Sequence, residues 1–222
     1  MQTQSSLPVD TTAVFDLITQ AVLQRGWCFI PDALPQDLCQ ALFLEAVQDS
    51  SRDFRPAGVG RQDDHQINRF VRRDQIRWIE GETPAQQCWL RWMDDLRLHL
   101  NRHLFLGLFS FESHFARYPV GAFYRKHVDA FRGDANRVLS TVLYLNPDWT
   151  TEDGGALVLY DSEDGGPGTA ELGRFQPAFG SLAVFLSEAF PHEVQPTRRE
   201  RYSIAGWYRV NSSSDQRVDP AR

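Results

Sequence analysis

The sequence predicts an α+β fold in which N-terminal helices support a β sandwich or barrel. Three observations predict it. Apolar residues recur at helical spacing through the first part of the chain, and the period changes to two after Leu106. Turn-forming residues then separate many short runs at regular intervals, which is typical of a sandwich or barrel.

The first helix follows from apolar residues at Val14, Leu17 and Ile18. Asp10, Thr11 and Thr12 are candidates to cap its N-terminus, and Gly26 is a natural C-terminal stop. The same criteria predict a buried strand at 27–30, a second helix at 34–48, a short strand at 76–80 and a third helix from 84 to about 105.

The second half of the chain alternates apolar and polar residues, beginning with the run 111–118. Seven further strands are expected at 121–128, 137–145, 156–160, 173–176, 181–186, 192–195 and 201–210. Because no linker interrupts the 222 residues, we expect a single domain over 1–222. Within it, helical support covers about 13–105, the β core about 108–210, and a polar tail 211–222.

Composition excludes several classes of function. A net charge of -6 and a pI near 5.5 argue against nucleic acid as a partner. No signal peptide and no membrane-spanning run is recognisable, and the three cysteines are odd in number without metal-binding spacing. We therefore expect a cytoplasmic protein with reduced thiols.

The segment from 50 to 75 mixes arginine with aspartate around Gly58 and Gly60. Such a composition is typical of a solvated surface loop. It is also compatible with a mobile segment, about 52–73, that reaches over a substrate cleft. The sequence leaves both interpretations open.

The stretch from 127 to 201 carries the candidate chemistry. His127 and Asp129 are two residues apart, so on one strand they would share a face, and His192 is the natural third ligand. Two imidazoles and one carboxylate leave open positions on a metal ion, as expected of non-haem Fe(II) oxygenases. Zinc remains an alternative, because catalytic zinc also accepts histidine and carboxylate ligands.

Arg201 and Tyr144 can bind a dicarboxylate beside this metal. Arg201 follows His192 by nine residues, and a hairpin between them would direct both side chains into one cavity. The arginine fork matches a carboxylate, and Tyr144 can donate its hydroxyl to the same group. This combination predicts an oxygenase that uses Fe(II) and 2-oxoglutarate. A surface ion pair for Arg201 and a core position for Tyr144 are the structural alternatives.

His99 and His103 lie four residues apart on the predicted third helix. They could share a metal, but a helical histidine pair without a third ligand is more often a packing feature. We expect the packing role.

Several runs resemble the prolyl 4-hydroxylase branch of the 2-oxoglutarate oxygenases, in the order in which that family has them. The similarity is especially close to the oxygen-sensing HIF prolyl hydroxylases and their bacterial homologues. The matching runs are 72–81, 117–119, 126–129, 137–146, 148–149, 154–155, 191–196 and 201–202.

The resemblance implies a double-stranded β-helix (jelly-roll) core. It implies Fe(II) on His127, Asp129 and His192, and catalytic residues that include Arg201. It also implies 2-oxoglutarate on Arg201 and Tyr144 with Tyr118 lining the pocket, and O2 and ascorbate as further small molecules. Substrate contacts are expected at Arg72, Asp74 and Trp207. Arg73 and Ala205 depart from the family pattern of glycine and threonine.

The leading hypothesis is therefore a prolyl 4-hydroxylase that modifies a proline-containing protein and releases succinate and CO2. Bacterial relatives make elongation factor Tu the first candidate substrate, by analogy alone. The same chemistry on a free amino acid or small metabolite is one alternative. A non-catalytic jelly-roll binding module is the other. Because Asp129 is present, halogenation is disfavoured.

Overall fold

The computed structural model describes residues 10–48, 54–58, 70–130, 136–161 and 170–211. Its three helices are α1 (Thr11–Arg25), α2 (Gln36–Gln48) and α3 (Pro84–Leu104). Its strands are β1 (Trp27–Ile30), β2 (Arg55–Pro56), β3 (Gln75–Trp78), β4 (Leu108–Tyr118), β5 (Tyr124–His127), β6 (Arg137–Tyr144), β7 (Leu157–Tyr160), β8 (Glu171–Phe175), β9 (Leu182–Leu186), β10 (His192–Val194) and β11 (Arg201–Val210).

The ends of α1 and α3 follow from local chemistry. The Asp10 carboxylate accepts hydrogen bonds from the backbone N–H groups of Thr12 and Ala13, and Gly26 takes the left-handed conformation that ends α1. The Thr83 hydroxyl caps α3, and Pro84 occupies its first turn. The predicted caps of α1 are therefore confirmed.

Two antiparallel sheets form the β core. The larger sheet has the strand order β1-β9-β6-β11-β4-β3-β2, and the smaller has the order β5-β10-β7-β8. From β4 onward the chain passes from one sheet to the other at every connection except the β7–β8 hairpin. This alternation produces a double-stranded β-helix from β4 to β11, in agreement with the expected α+β class and jelly-roll core.

Each face of the larger sheet has its own hydrophobic core. On one face the helices contribute Ile18, Leu42 and Trp89, which pack against Phe115 and Ile204. Between the two sheets lies a second core, formed by residues such as Ala116, Tyr144, Leu157, Leu159 and Phe185. The helices therefore support the sheet from outside and leave the space between the sheets for a site.

Several predicted boundaries change. The second helix begins at Gln36 rather than 34, and the strands predicted at 76–80 and 173–176 are displaced to β3 and β8. β1, β2 and β3 join the larger sheet, so the region 13–105 is not purely helical. Most of the 52–73 segment and nearly all of the 211–222 tail lie outside the described residues. Within the described part of the chain, no helix has the length and apolar character needed to cross a membrane.

Candidate active site

The three predicted metal ligands meet at one end of the smaller sheet. His127 ends β5, His192 begins β10, and the two residues pair directly across these antiparallel strands. Asp129 lies two residues beyond β5, with its carboxylate oxygens 3.4 Å from His127 Nε2 and 3.7 Å from His192 Nε2. Among the described residues this is the only cluster of three such side chains with ligand atoms within 4.8 Å of one another.

His127 and Asp129 lie close together as expected, but they do not share a strand. We expected a strand through 121–128 that would present both side chains on one face. β5 instead ends at His127, and Asp129 lies in the bend that follows. The bend brings the carboxylate back toward both imidazoles, which a straight strand would not do.

Backbone carbonyls orient both histidines. His127 Nδ1 lies 2.8 Å from the carbonyl oxygen of Arg125, and His192 Nδ1 lies 3.0 Å from that of Phe190. Because a carbonyl only accepts, each Nδ1 must carry the proton, and each Nε2 then offers its lone pair. This arrangement is typical of histidines that bind a metal through Nε2.

Asp129 is held in its ionised form. Burial alone would raise its pKa, but the adjacent imidazoles of His192 and His127 and a hydrogen bond from Ser140 hold it well below the usual range. Ser140 Oγ donates to Asp129 Oδ2 at 2.6 Å, and Trp207 Nε1 donates to the same oxygen at 2.9 Å. Burial, with His127 nearby, lowers the pKa of His192 to about 4, so this imidazole is neutral at physiological pH.

A stack of planar groups covers the outer side of His127. The Tyr124 ring lies parallel to the His127 ring at a centroid distance of 3.6 Å, and the Arg72 guanidinium lies 4.3 Å above Tyr124. Arg72 also makes a two-point ion pair with the buried Asp74, at 2.6 and 2.8 Å. The structure therefore places Arg72 and Asp74 beside the metal cluster. Their role as substrate contacts stays a prediction.

Arg201 is buried in the space between the sheets. Its Nε donates to the carbonyl of Gly155 at 2.9 Å, and one terminal nitrogen donates to Ser203 Oγ at 3.2 Å. The guanidinium lies 4.8 Å from the centre of the Tyr118 ring and 5.1 Å from that of Tyr144. Strand pairing explains the grouping, because Arg201 is opposite Tyr118 and Ser203 is opposite Tyr144.

Two hydrogen-bonding groups between the sheets have no partner among the described residues. They are the second terminal nitrogen of Arg201 and the Tyr144 hydroxyl, which are both buried. Burial raises the pKa of Tyr144 to about 12, with Arg201 opposing the shift, so its hydroxyl keeps the proton and can donate. Buried donors are almost always satisfied. A bound carboxylate would accept hydrogen bonds from both this cation and this hydroxyl.

The predicted hairpin between His192 and Arg201 is wrong. β10 belongs to the smaller sheet and β11 to the larger, so the chain crosses between the sheets in the intervening residues. Both side chains nevertheless border the core between the sheets, where Arg201 contacts Tyr144 and His192 contacts Phe185. The carbonyl of Gly155, just before β7, fixes Arg201.

Comparison with known proteins decides the family. Residues 113–209 match the model of the 2OG-Fe(II) oxygenase superfamily. Human prolyl hydroxylase EGLN3 is 32% identical over 211 residues, which cover 87% of this chain and 82% of that protein. This chain belongs to the 2OG-Fe(II) oxygenase superfamily.

Other relatives of this oxygenase agree. Human Egl nine homolog 1 is 31% identical over 204 residues, which cover 87% of this chain but 46% of that protein. This chain therefore spans about half the length of that relative. A crystal structure of a Pseudomonas putida prolyl-4-hydroxylase is 41% identical, covers 89% of this chain and 100% of its own, and has a TM-score of 0.79.

A Trichoplax adhaerens prolyl hydroxylase provides a second structure. It was solved with a peptide from the hypoxia inducible factor oxygen degradation domain and is 26% identical, with a TM-score of 0.75 and 90% coverage of both chains.

The site of this oxygenase fits the two groups that the family name contains. Two imidazoles and an ionised carboxylate suit Fe(II), and the open donors of Arg201 and Tyr144 suit the far carboxylate of 2-oxoglutarate. Sequence reasoning did not find the roles of Ser140, Gly155 and Tyr124. Ser140 shares a strand face with Tyr144, which was the one available signal for it.

His99 and His103 adopt the expected packing role. Their rings stack at 4.2 Å, His99 packs against Phe15 with ring centres 5.6 Å apart, and His99 Nε2 lies 3.1 Å from Asp16 Oδ1. His103 Nδ1 contacts the carbonyl of His99 one turn earlier. Neither histidine belongs to a three-ligand cluster in the described residues.

Proposed function

We propose that this chain hydroxylates a prolyl residue of a protein substrate, with consumption of 2-oxoglutarate and O2 and release of succinate and CO2. One observation carries the proposal: two buried donors, on Arg201 and Tyr144, have no hydrogen-bond partner among the described residues. Tyr144 packs in the same inter-sheet core as Phe185, whose ring contacts His192 of the cluster of two histidines and one aspartate. The relatives named as prolyl hydroxylases support the choice of proline.

His127, Asp129 and His192 would hold Fe(II) through the two Nε2 atoms and a carboxylate oxygen. Arg201 and Tyr144 would hold the distal carboxylate of 2-oxoglutarate, with Tyr118 as the pocket wall. Fe(II) and 2-oxoglutarate together supply the activation of O2 and the oxidising power for a C–H bond.

The protein's own residues provide position and shielding. Ser140 and Trp207 fix the Asp129 carboxylate, and the carbonyls behind both histidines fix their rings. Gly155 and Ser203 fix the guanidinium of Arg201. Each group therefore binds without reorganisation, which is the main contribution a scaffold makes to such chemistry.

A titration without oxygen tests the binding half of the proposal. Fe(II) is added first and 2-oxoglutarate second, and the visible charge-transfer absorption of the chelate is followed. We expect the band in the wild type and its loss in His127→Ala. In Arg201→Ala the band should need a higher concentration of 2-oxoglutarate, because the cosubstrate binds more weakly. Absence of the band in the wild type would contradict the metal assignment and favour a non-catalytic binding module.

Mass spectrometry tests the reaction. Prolyl peptides and intact elongation factor Tu, our first candidate, are incubated with the enzyme, Fe(II), 2-oxoglutarate and ascorbate as reductant. We expect one added oxygen on a proline, matched by succinate. Succinate formation with a free amino acid but with no protein or peptide would instead support the metabolite alternative.

The three free cysteines Cys28, Cys39 and Cys88 support a cytoplasmic location as part of this proposal.

A further inference from the structure

A groove separate from the metal cluster lies between α3 and β4. β3 pairs with β4 only over His114 to Arg117, so the first half of β4 lacks a strand on that side. The groove there has a volume of about 570 Å³. Its lining comes from the end of β3, from α3 and from β4: Trp78, Ile79, Glu80, Leu90, Asp94, Arg97 and the run 109–113.

The backbone of β4 faces this groove with open hydrogen-bonding groups. Among the described residues, the last backbone–backbone bond along this edge runs from the Ile79 N–H to the Ser113 carbonyl at 3.0 Å, and side chains of Asn101 and Arg97 bond the backbone of Leu108 at the start of β4. Since alternate residues of a strand point their N–H and C=O to the same side, those of Phe111 also face the groove. An uncovered strand edge of this kind is a template for a further strand.

The side chains of the groove favour a cationic occupant. Trp78 and Phe109 are 43% and 40% exposed, which is high for large aromatic residues. Asp94 is paired with Arg97 at 2.8 Å, and Glu112 is paired with Arg137 at 2.9 Å. Glu80 has no ion-pair partner among the described residues. An unpaired carboxylate near an exposed tryptophan suits a lysine or arginine side chain.

A series of side-chain contacts links the groove to the metal cluster. Its Trp78 ring contacts the His114 ring at 5.3 Å, and His114 contacts Trp207 at 5.5 Å. Trp207 donates to Asp129.

We propose that this groove binds an extended basic segment of the protein substrate, a few residues from the target proline. The segment adds as a short strand to the free edge of β4, and one lysine or arginine side chain lies between Glu80 and Trp78. This inference rests on the proposed function, because it assumes a protein substrate.

A binding assay without iron tests the groove alone. The probe is a fluorescein-labelled peptide, Thr-Arg-Val-Arg-Thr-Arg-Val, which contains no proline, and anisotropy reports its binding. We expect Glu80→Gln to weaken binding about threefold and Phe109→Ser to weaken it by a similar factor. The double variant should then lose about tenfold.

Two matched controls accompany these variants. Glu82→Gln removes an equally exposed carboxylate two residues away, outside the groove, and Leu23→Ser removes an exposed apolar side chain on α1. Both should bind the probe as the wild type does. Equal loss in the controls, or undiminished binding by the double variant, would overturn the proposal, as would failure of the wild type to bind.

Turnover then separates this inference from the proposed function. A prolyl substrate peptide with a basic flank should have a lower KM than the same peptide with glutamines there, and Glu80→Gln should abolish the difference without changing kcat. Turnover with no preference for the basic flank would overturn the proposal that the groove binds a basic segment, and it would leave the proposed prolyl hydroxylation unaffected. Sedimentation of the protein alone should give a monomer. A dimer that the double variant dissociates would assign the groove to a second copy.

Discussion

The indole N–H of Trp207 donates a hydrogen bond to Asp129 Oδ2 at 2.9 Å, although 78 residues separate the two along the chain. The same oxygen accepts from Ser140, so the carboxylate has one oxygen fixed by the protein and one, Oδ1, directed toward His127. Trp207, which we expected to contact substrate, therefore also positions a metal ligand.

Trp207→Phe should weaken metal binding without removing a ligand. The ring is retained and the donor is lost, and such supporting hydrogen bonds are worth roughly 10- to 100-fold in metal affinity. Calorimetric titration with Mn(II), an oxygen-stable substitute for Fe(II), measures the change. Trp149→Phe is the control, because its indole bonds to the Gly154 carbonyl away from the metal. An unchanged Mn(II) affinity would show that the bond is incidental.

Tyr144→Phe should move stability and ligand affinity in opposite directions. The buried hydroxyl has no partner among the described residues, so its removal should raise the free energy of unfolding by about 1 kcal/mol. The affinity for 2-oxoglutarate should fall by roughly five- to tenfold, because a hydrogen bond to the carboxylate is lost.

Tyr208→Phe is the matched control for that pair of measurements. The Tyr208 hydroxyl is also buried, but it donates to the Met93 carbonyl at 2.7 Å. Its loss should lower stability and leave 2-oxoglutarate affinity unchanged. Lower stability in both variants would mean that the Tyr144 hydroxyl has a partner in the free protein.

Gly155→Ala should disturb Arg201. A Cβ at this position would lie 2.9 Å from Arg201 Cδ and 3.2 Å from Thr197 Cβ, and the backbone φ is +66°. We expect 2-oxoglutarate affinity to fall about tenfold and stability to fall by about 1–3 kcal/mol. Gly107→Ala has a similar φ of +65° with no atom within 4 Å of the added Cβ, so it isolates the backbone effect. Equal 2-oxoglutarate affinities in the two variants would contradict the contact.

His114 should make stability depend on pH. Burial, with a smaller contribution from Arg72, lowers its pKa from 6.5 to about 4. The unfolded chain therefore binds more protons between these values, and stability falls as pH drops through that window. From pH 7 to pH 5 this histidine should remove about 2 kcal/mol.

Urea unfolding at the two pH values measures this change. His114→Phe should reduce the loss by that amount, whereas His103→Phe, which replaces an exposed histidine, should leave it as in the wild type. Equal pH dependence in the His114 variant and the wild type would show that protonation of His114 is not coupled to unfolding.

The sequence predicted those parts of the site that depend on residue type and local spacing. His127, Asp129 and His192 carry distinctive chemistry and meet in one cluster. Arg201 and Tyr144 do so too, and they meet in the space between the sheets. Contacts made across strands were not predictable in the same way. The Ser140 and Trp207 bonds to Asp129, and the Gly155 bond to Arg201, depend on the registers of distant strands.

The same limit explains the failed hairpin. A nine-residue separation is compatible with a tight turn within one sheet and with a crossing between two sheets. Local pattern cannot distinguish these, because both connect two extended runs through polar residues. The choice depends on which neighbour each strand finds in the folded core, and β10 pairs with β5 and β7 whereas β11 pairs with β4 and β6.

The segment 71–73 limits self-association, because it covers a strand edge. Arg73 N–H bonds to the Phe123 carbonyl and Arg125 N–H bonds to the Val71 carbonyl, so this segment covers the outer edge of β5. An edge strand that carried His127 without this cover could recruit strands from other chains and lead to aggregation. The chain thus protects the sheet edge that carries a metal ligand.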